Sequence, residues 1–157
     1  MNYTIRYALP QDATTLVQLH QLHAAYEHAE YNPEGKVQAI LDHYFTPNPP
    51  IRCIVAVVHD VVIGYATFTK DFATWAGAYF IHMDCLYLQE AYRGHSIGEA
   101  LVNNIATYAV QHNIAYMEWQ TPSFNAGAIK FYYRLGATSK HKLRMYLTGQ
   151  ALHARVM

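Results

Sequence analysis

Hydrophobic and polar positions along this 157-residue chain change their period several times, and each change predicts an element. Tyr3-Thr4-Ile5-Arg6-Tyr7 alternates as a strand does. Pro10 and Asp12 break the alternation and open a helix, in which Leu16, Leu19, Leu22, His23 and Tyr26 recur at helical spacing. Asn32-Pro33 restarts the chain, and Val37, Ile40, Leu41 and Tyr44 predict a second, shorter helix. Thr46-Pro47-Asn48-Pro49-Pro50 suits neither regular element and predicts a loop.

Arg52 to Val58 is a β-branched run, with His59-Asp60 as a turn and Val61 to Thr69 as its hairpin partner. Asp71 to Gly77 reads as a looser connection before a long apolar strand, Ala78 to Leu88. Asp84 lies inside that strand, where an acid is costly unless it has a partner or a task. Ser96 to His112 carries Ile97, Leu101, Ile105, Tyr108 and Ala109 on one face and predicts a helix. A strand over Ile114 to Gln120, a helix over Asn125 to Leu135 capped by Gly136, and a closing strand over Lys142 to Leu147 complete the order. The pattern β-α-α-β-β-β-α-β-α-β implies an α/β (α+β) domain with an open mixed sheet flanked by helices.

Composition narrows this picture. A length of 157 residues without repeats or linkers implies a single domain over 1–157. Charge is balanced, Lys+Arg 11 against Asp+Glu 11, so no global field collects nucleic acid or an anionic membrane. Cys53 and Cys85 lie in apolar runs and read as free buried thiols. No apolar run reaches the ~20 residues of a membrane span and no leader is visible, so the cytoplasm is the expected location. Ten His invite a metal, and His20 and His23 share a helix face, but no ligand-spaced motif occurs and none is expected.

Candidate chemistry concentrates in Arg93-Gly94-His95-Ser96-Ile97-Gly98, between the long strand and the third helix. A helix N-terminus offers unsatisfied N–H groups and a positive dipole end, glycines let the backbone approach phosphate oxygens, and Arg93 adds a cation. No Lys-Ser/Thr follows the last Gly, so this is not a P-loop, and its spacing and late position do not fit a dinucleotide fingerprint.

The segment resembles the acyl-coenzyme A loop of the GCN5-related N-acetyltransferases, Arg/Gln-x-x-Gly-x-Gly/Ala between a strand and a helix. Ser96 stands where the first motif Gly is usual, and its hydroxyl is expected to cap the helix. Asn125 to Ala137, with Phe131-Tyr132 and Gly136, resembles the family's later motif. The resemblance covers nearly the whole chain and implies a central mixed, mostly antiparallel sheet flanked by helices. It also implies acetyl-coenzyme A as co-substrate, without a metal. Backbone at Leu86, Tyr87 and Leu88 would hold the pantetheine arm, while Arg93, Gly94, His95, Ser96, Ile97, Gly98 and Glu99 would hold the diphosphate. Asn125 and Ala128 would add further contacts, and Tyr132 would protonate the leaving thiolate.

Within the family the likeness is to the spermidine/spermine, or diamine, N-acetyltransferases. Tyr26-Glu27 matches a Tyr-Glu pair at the end of the first helix, Trp75 a Trp before the long strand, and Asp84 a Glu facing the substrate amine. Asp84 or Glu27 would serve as the base, and Tyr26, Glu27, Trp75, Asp84, Glu118, Trp119 and Gln120 would line the acceptor site. Spaced carboxylates and aromatic faces suit a flexible chain of methylenes and cations. The family further implies a homodimer. An aminoglycoside, thialysine or other small amine as acceptor, or a domain that binds acyl-coenzyme A without catalysis, fits the same motifs.

Overall fold

The five strands of the sheet are arranged in chain order: β1 (Thr4–Tyr7), β2 (Arg52–Val58), β3 (Val61–Ala73), β4 (Ala78–Leu88) and β5 (Met117–Glu118). The computed structural model describes residues 1–156. β1 to β4 pair antiparallel and β5 joins β4 in parallel, giving the expected mixed sheet. β2 is buried from Cys53 to Val58 without alternation, because helices cover both of its faces. The β2–β3 turn places His59 and Asp60 at φ 48° and 62°, the left-handed pair that a two-residue hairpin demands.

One face of the sheet packs on α1 (Ala13–Tyr26) and α2 (Lys36–His43). Cys53, Val55, Val57, Tyr65 and Tyr87 meet Leu16, Leu19 and Ile40 there. α3 (Ile97–Gln111) covers β2, β3 and β4 on the other face, with Ile97, Leu101 and Ile105 fully buried and Tyr108 edge-on to Phe68 at 5.2 Å. A 3-10 turn, Pro10–Asp12, leads into α1. Buried Asp12 there accepts two bonds from Arg6, at 2.7 and 3.0 Å, and one from the Leu9 N–H at 2.7 Å.

The sheet register slips once between β2 and β3, at Ala56/Val57, and once between β3 and β4, at Thr67/Phe68. Thr67 faces Cys85 while Phe68 faces Met83, which leaves Asp84 as an extra residue on β4, a β-bulge. The bulge resets the alternation: Met83 stays with Phe68 on the α3 side, and Cys85 and Tyr87 turn with Thr67 and Tyr65 toward α1.

The chain divides into two compact units, Met1–Asn125 and the remainder from Ala126. In the second, α4 (Ala126–Arg134) ends in a Schellman motif, with the N–H of Ala137 on the Tyr132 carbonyl, that of Gly136 on Tyr133, and Gly136 at φ 90°. α5 (Gly149–His153) follows, an element the hydrophobic pattern did not announce.

Two expected strands are corrected. Ile114 to Gln120 contributes only Met117–Glu118, because the Ile114 N–H is still bound to the Ala109 carbonyl at 2.9 Å and Asn113 sits at φ 55°, closing α3. Lys142 to Leu147 forms no ladder, and its side chains are exposed. Apolar alternation shows which side chains could share a face, but a strand exists only where a partner supplies its backbone hydrogen bonds.

Candidate active site

β4 owes its open edge to the shortness of β5. The two strands pair only at Ile81 with Met117 and His82 with Glu118, so among the described residues no strand lies along that side from Met83 to Leu88. An unpaired edge of this kind binds extended, amide-bearing ligands as an added strand would. The edge runs through a 3-10 turn, Glu90–Tyr92, into the loop Arg93 to Ser96 and so to the start of α3. Gly94 adopts φ 79° and Ser96 φ 60°, and the loop residues 93–96 are exposed.

Ser96 stands at the N-cap of α3, but its hydroxyl makes no capping bond. A capping Ser needs extended backbone, and this one is left-handed, the conformation for which glycine is the usual residue. The expected cap is therefore corrected: the Ser96 hydroxyl satisfies none of the first N–H groups of the helix. Arg93 Nε donates to the Leu88 carbonyl at 3.0 Å, and its guanidinium lies 4.7 Å from the centre of the Tyr26 ring, which ties the loop to the cleft wall. Ile97 is fully buried, and Glu99 puts negative charge in the first turn, so residues 94–98 can serve an anion through backbone N–H groups alone. The open edge and this uncapped helix start fit an amide-bearing arm that ends in a diphosphate.

Beside the edge, the bulge turns Asp84 toward α1 and α2, where its charge acts on His20, His23 and Tyr44. Its side chain is 51% exposed and lies 3.9 Å from His82 Nε2. The desolvation cost expected of an acid inside an apolar strand is thus avoided, since the bulge lifts Asp84 out of the core. His20 and His23 are half-buried against Tyr65, at ring separations of 4.7 and 5.9 Å. Burial pushes His20 down to about 4, helped by the charge of His23 and opposed by Asp84. Burial also lowers His23, against the pull of Glu27 and Asp84, and it raises the Cys85 thiol to about 11, too high for a nucleophile at neutral pH. Cys53 and Cys85 are both free.

A cavity of about 340 Å³ lies between α1 and α2, lined by His20, Tyr31, Lys36, Ile40, His43 and Tyr44. The Tyr31 hydroxyl is buried there with no hydrogen-bond partner among the described residues. No three His, Cys, Asp or Glu side chains converge as metal ligands among the described residues.

Of the remaining candidates, Tyr26 and Asn125 meet: the Tyr26 hydroxyl donates to Asn125 Oδ1 at 3.0 Å, and Asn125 is buried. Glu27 follows the last residue of α1 and pairs with His23. Trp75 is fully exposed in the β3–β4 turn, nine residues from Asp84 and roughly 20 Å away along the strand. Glu118 pairs in register with His82, with Trp119 and Gln120 just beyond β5. Ala128 and Tyr132 lie on α4 of the second unit. His20, His23, Tyr65 and His82 were not singled out as site residues. Their signal was an interrupted apolar stripe: His20, His23 and Glu27 follow Leu16 and Leu19 on one face of α1.

An open strand edge, a glycine-bearing loop into a helix and an adjoining acid-lined hollow define a transferase that takes an acyl thioester on one side and an acceptor on the other. The Acetyltransferase (GNAT) family model matches residues 16–137, and the chain belongs to that family. Family members use acetyl-coenzyme A as co-substrate. Among curated relatives, the L-ornithine N5-acetyltransferase of Arabidopsis thaliana is 29% identical over 99 residues, 62% of this chain but only 43% of that protein. The thialysine N-epsilon-acetyltransferase of Bos taurus is 25% identical over 141 residues, 85% of this chain and 82% of that protein. Among solved structures, an integron cassette protein from the mobile metagenome of V. cholerae superposes with a TM-score of 0.79 at 28% identity, covering 98% and 97% of the two chains. An aminoglycoside acetyltransferase from an uncultured soil sample, in complex with sisomicin, reaches 0.76 at 13% identity over 94% and 95%, a likeness of fold alone.

Proposed function

We propose that this chain transfers acetyl from acetyl-coenzyme A to a terminal primary amine of a diamine or polyamine. The observation that carries the reading is the position of Asp84, lifted by the bulge beside the open β4 edge and facing the aromatic and histidine wall of α1. An alkylamine has a pKa near 10.4 and is mostly ammonium at neutral pH, so it must lose a proton before it can attack. Asp84 or Glu27 accepts that proton, directly or through a water. The bound co-substrate supplies an activated acetyl thioester. Leu86 to Leu88 and the N–H groups at 94–98 hold it, and Tyr26, braced on Asn125, contributes an aromatic face. The role of Tyr132 as proton donor to the thiolate rests on the family's later motif. Tyr132→Phe is expected to cut turnover at least about tenfold while leaving the donor dissociation constant nearly unchanged.

A second reading keeps the chemistry and changes the far end of the acceptor to an amino acid with a side-chain amine. The ornithine and thialysine enzymes among the relatives support it, as does Lys36 on the cavity wall, a cation suited to a carboxylate. Thiol release measured with a panel of diamines, polyamines, diamino acids and aminoglycosides at one acetyl-coenzyme A concentration separates the two. Highest kcat/KM for a carboxyl-free diamine or polyamine upholds the first, and release with no amine at all rejects both. The resemblance and the exposed apolar residues Leu143, Met145 and Leu147 also support a homodimer.

A further inference from the structure

His23 is held on three sides. Its Nδ1 lies 2.8 Å from the Tyr65 hydroxyl, its Nε2 lies 3.2 Å from Glu27 Oε1, and its ring stacks on Tyr87 at 5.1 Å and 23°. The His23 side chain is 12% exposed and Tyr65 is fully buried, so the bond between them is shielded from water, while the Glu27 end of the other bond is one-third exposed. The chemistry of the partners sets the tautomer. An ionised carboxylate only accepts, so Nε2 carries the hydrogen and donates to Glu27. The neutral ring is then bare at Nδ1, and the Tyr65 hydroxyl must donate to it. Burial favours this neutral form.

Glu27 needs such a hold. It lies just past the last residue of α1, its side chain is one-third exposed, and among the described residues no other hydrogen bond to its carboxylate accompanies the one from His23. Its charge and that of Asp84 both act on His23 and on Cys85, so the two acids flank the same hollow. We infer that His23, locked in one tautomer by Tyr65, is a positioning residue that anchors Glu27 Oε1 and leaves Oε2 directed at the acceptor amine. This rests on the reading of the chain as an amine acetyltransferase.

The test uses the full chain and three variants. His23→Leu removes the bond to Glu27, Tyr65→Phe frees the tautomer, and His23→Gln keeps a donor for Glu27 and an acceptor for Tyr65 without a titrating ring. Hydrogen bonds to charged groups support an expected loss of about 10- to 100-fold in kcat/KM for the amine in His23→Leu. The KM for acetyl-coenzyme A should stay within about twofold, a split that general loosening of the fold would not produce. His23→Gln should recover to within about fivefold of the wild type. Full amine kcat/KM in His23→Leu, or His23→Gln as impaired as His23→Leu, overturns the inference. Imidazole nitrogen NMR of the wild type decides it independently of turnover. A protonated Nε2 with a bare Nδ1 at neutral pH supports the anchor, and a protonated Nδ1 overturns it. Absence of acetyl transfer to any amine, with the expected tautomer present, would reject the amine-acetyltransferase reading and leave the anchor standing.

Discussion

Ser96 occupies a glycine's conformation with a serine's side chain. At φ 60° an L-residue is strained, and the hydroxyl returns nothing, since it does not cap α3. Ser96→Gly is expected to raise stability by about 1 kcal/mol, read as a higher melting temperature, and to leave the donor loop intact. His20 works through pH. Its folded pKa of about 4 lies below the ordinary 6.5, so between those values the unfolded chain binds a proton that the folded chain refuses. Stability is fully present above about pH 6.5 and falls as pH drops toward 4, by about 3 kcal/mol at most from this group. His23, also lowered, acts in the same direction. Melting temperature followed from pH 7 to pH 4 should flatten in part in His20→Gln. Reading at this scale singled out Asp84 because an acid is unusual inside an apolar strand, and it failed where a residue's conformation came from backbone geometry. Neither the left-handed angle at Ser96 nor the extra residue at Asp84 is written in side-chain type.

At the scale of elements, β2 and β4 were legible to the residue because apolar runs there end in turn residues on both sides. β5 and the segment 142–147 were not, because their extent depends on which backbone lies alongside. The junction that matters for the site is β3 against β4 at its far end. A Cβ on Gly64 would stand 2.7 Å from Leu88 Cδ1 and 2.8 Å from the Tyr87 carbonyl oxygen, and that backbone cannot yield cheaply. Gly64→Ala is expected to cost about 1–3 kcal/mol, measured by denaturant unfolding. It should also weaken donor binding, because it displaces Tyr87 and Leu88 where the open edge meets the loop. Unchanged stability would mean that the two strands have slack there.

For the whole molecule, the resemblance of residues 93–98 and 125–137 to motifs of the GCN5-related N-acetyltransferases already pointed to an acetyl-coenzyme A-dependent transferase, and the family match over residues 16–137 bears out that class. The proposed donor side leaves glycines and a helix start in the sequence. The proposed acceptor side leaves less, since His20, His23 and Tyr65 look like core positions until the bulge turns β4 toward them. The central claim is that the β4 edge and the start of α3 hold the thioester donor. An amide chemical-shift map of the nitrogen-labelled chain titrated with acetyl-coenzyme A tests this directly. The largest shifts are expected at residues 85–88 and 94–98; saturable binding that leaves those amides unmoved would contradict it.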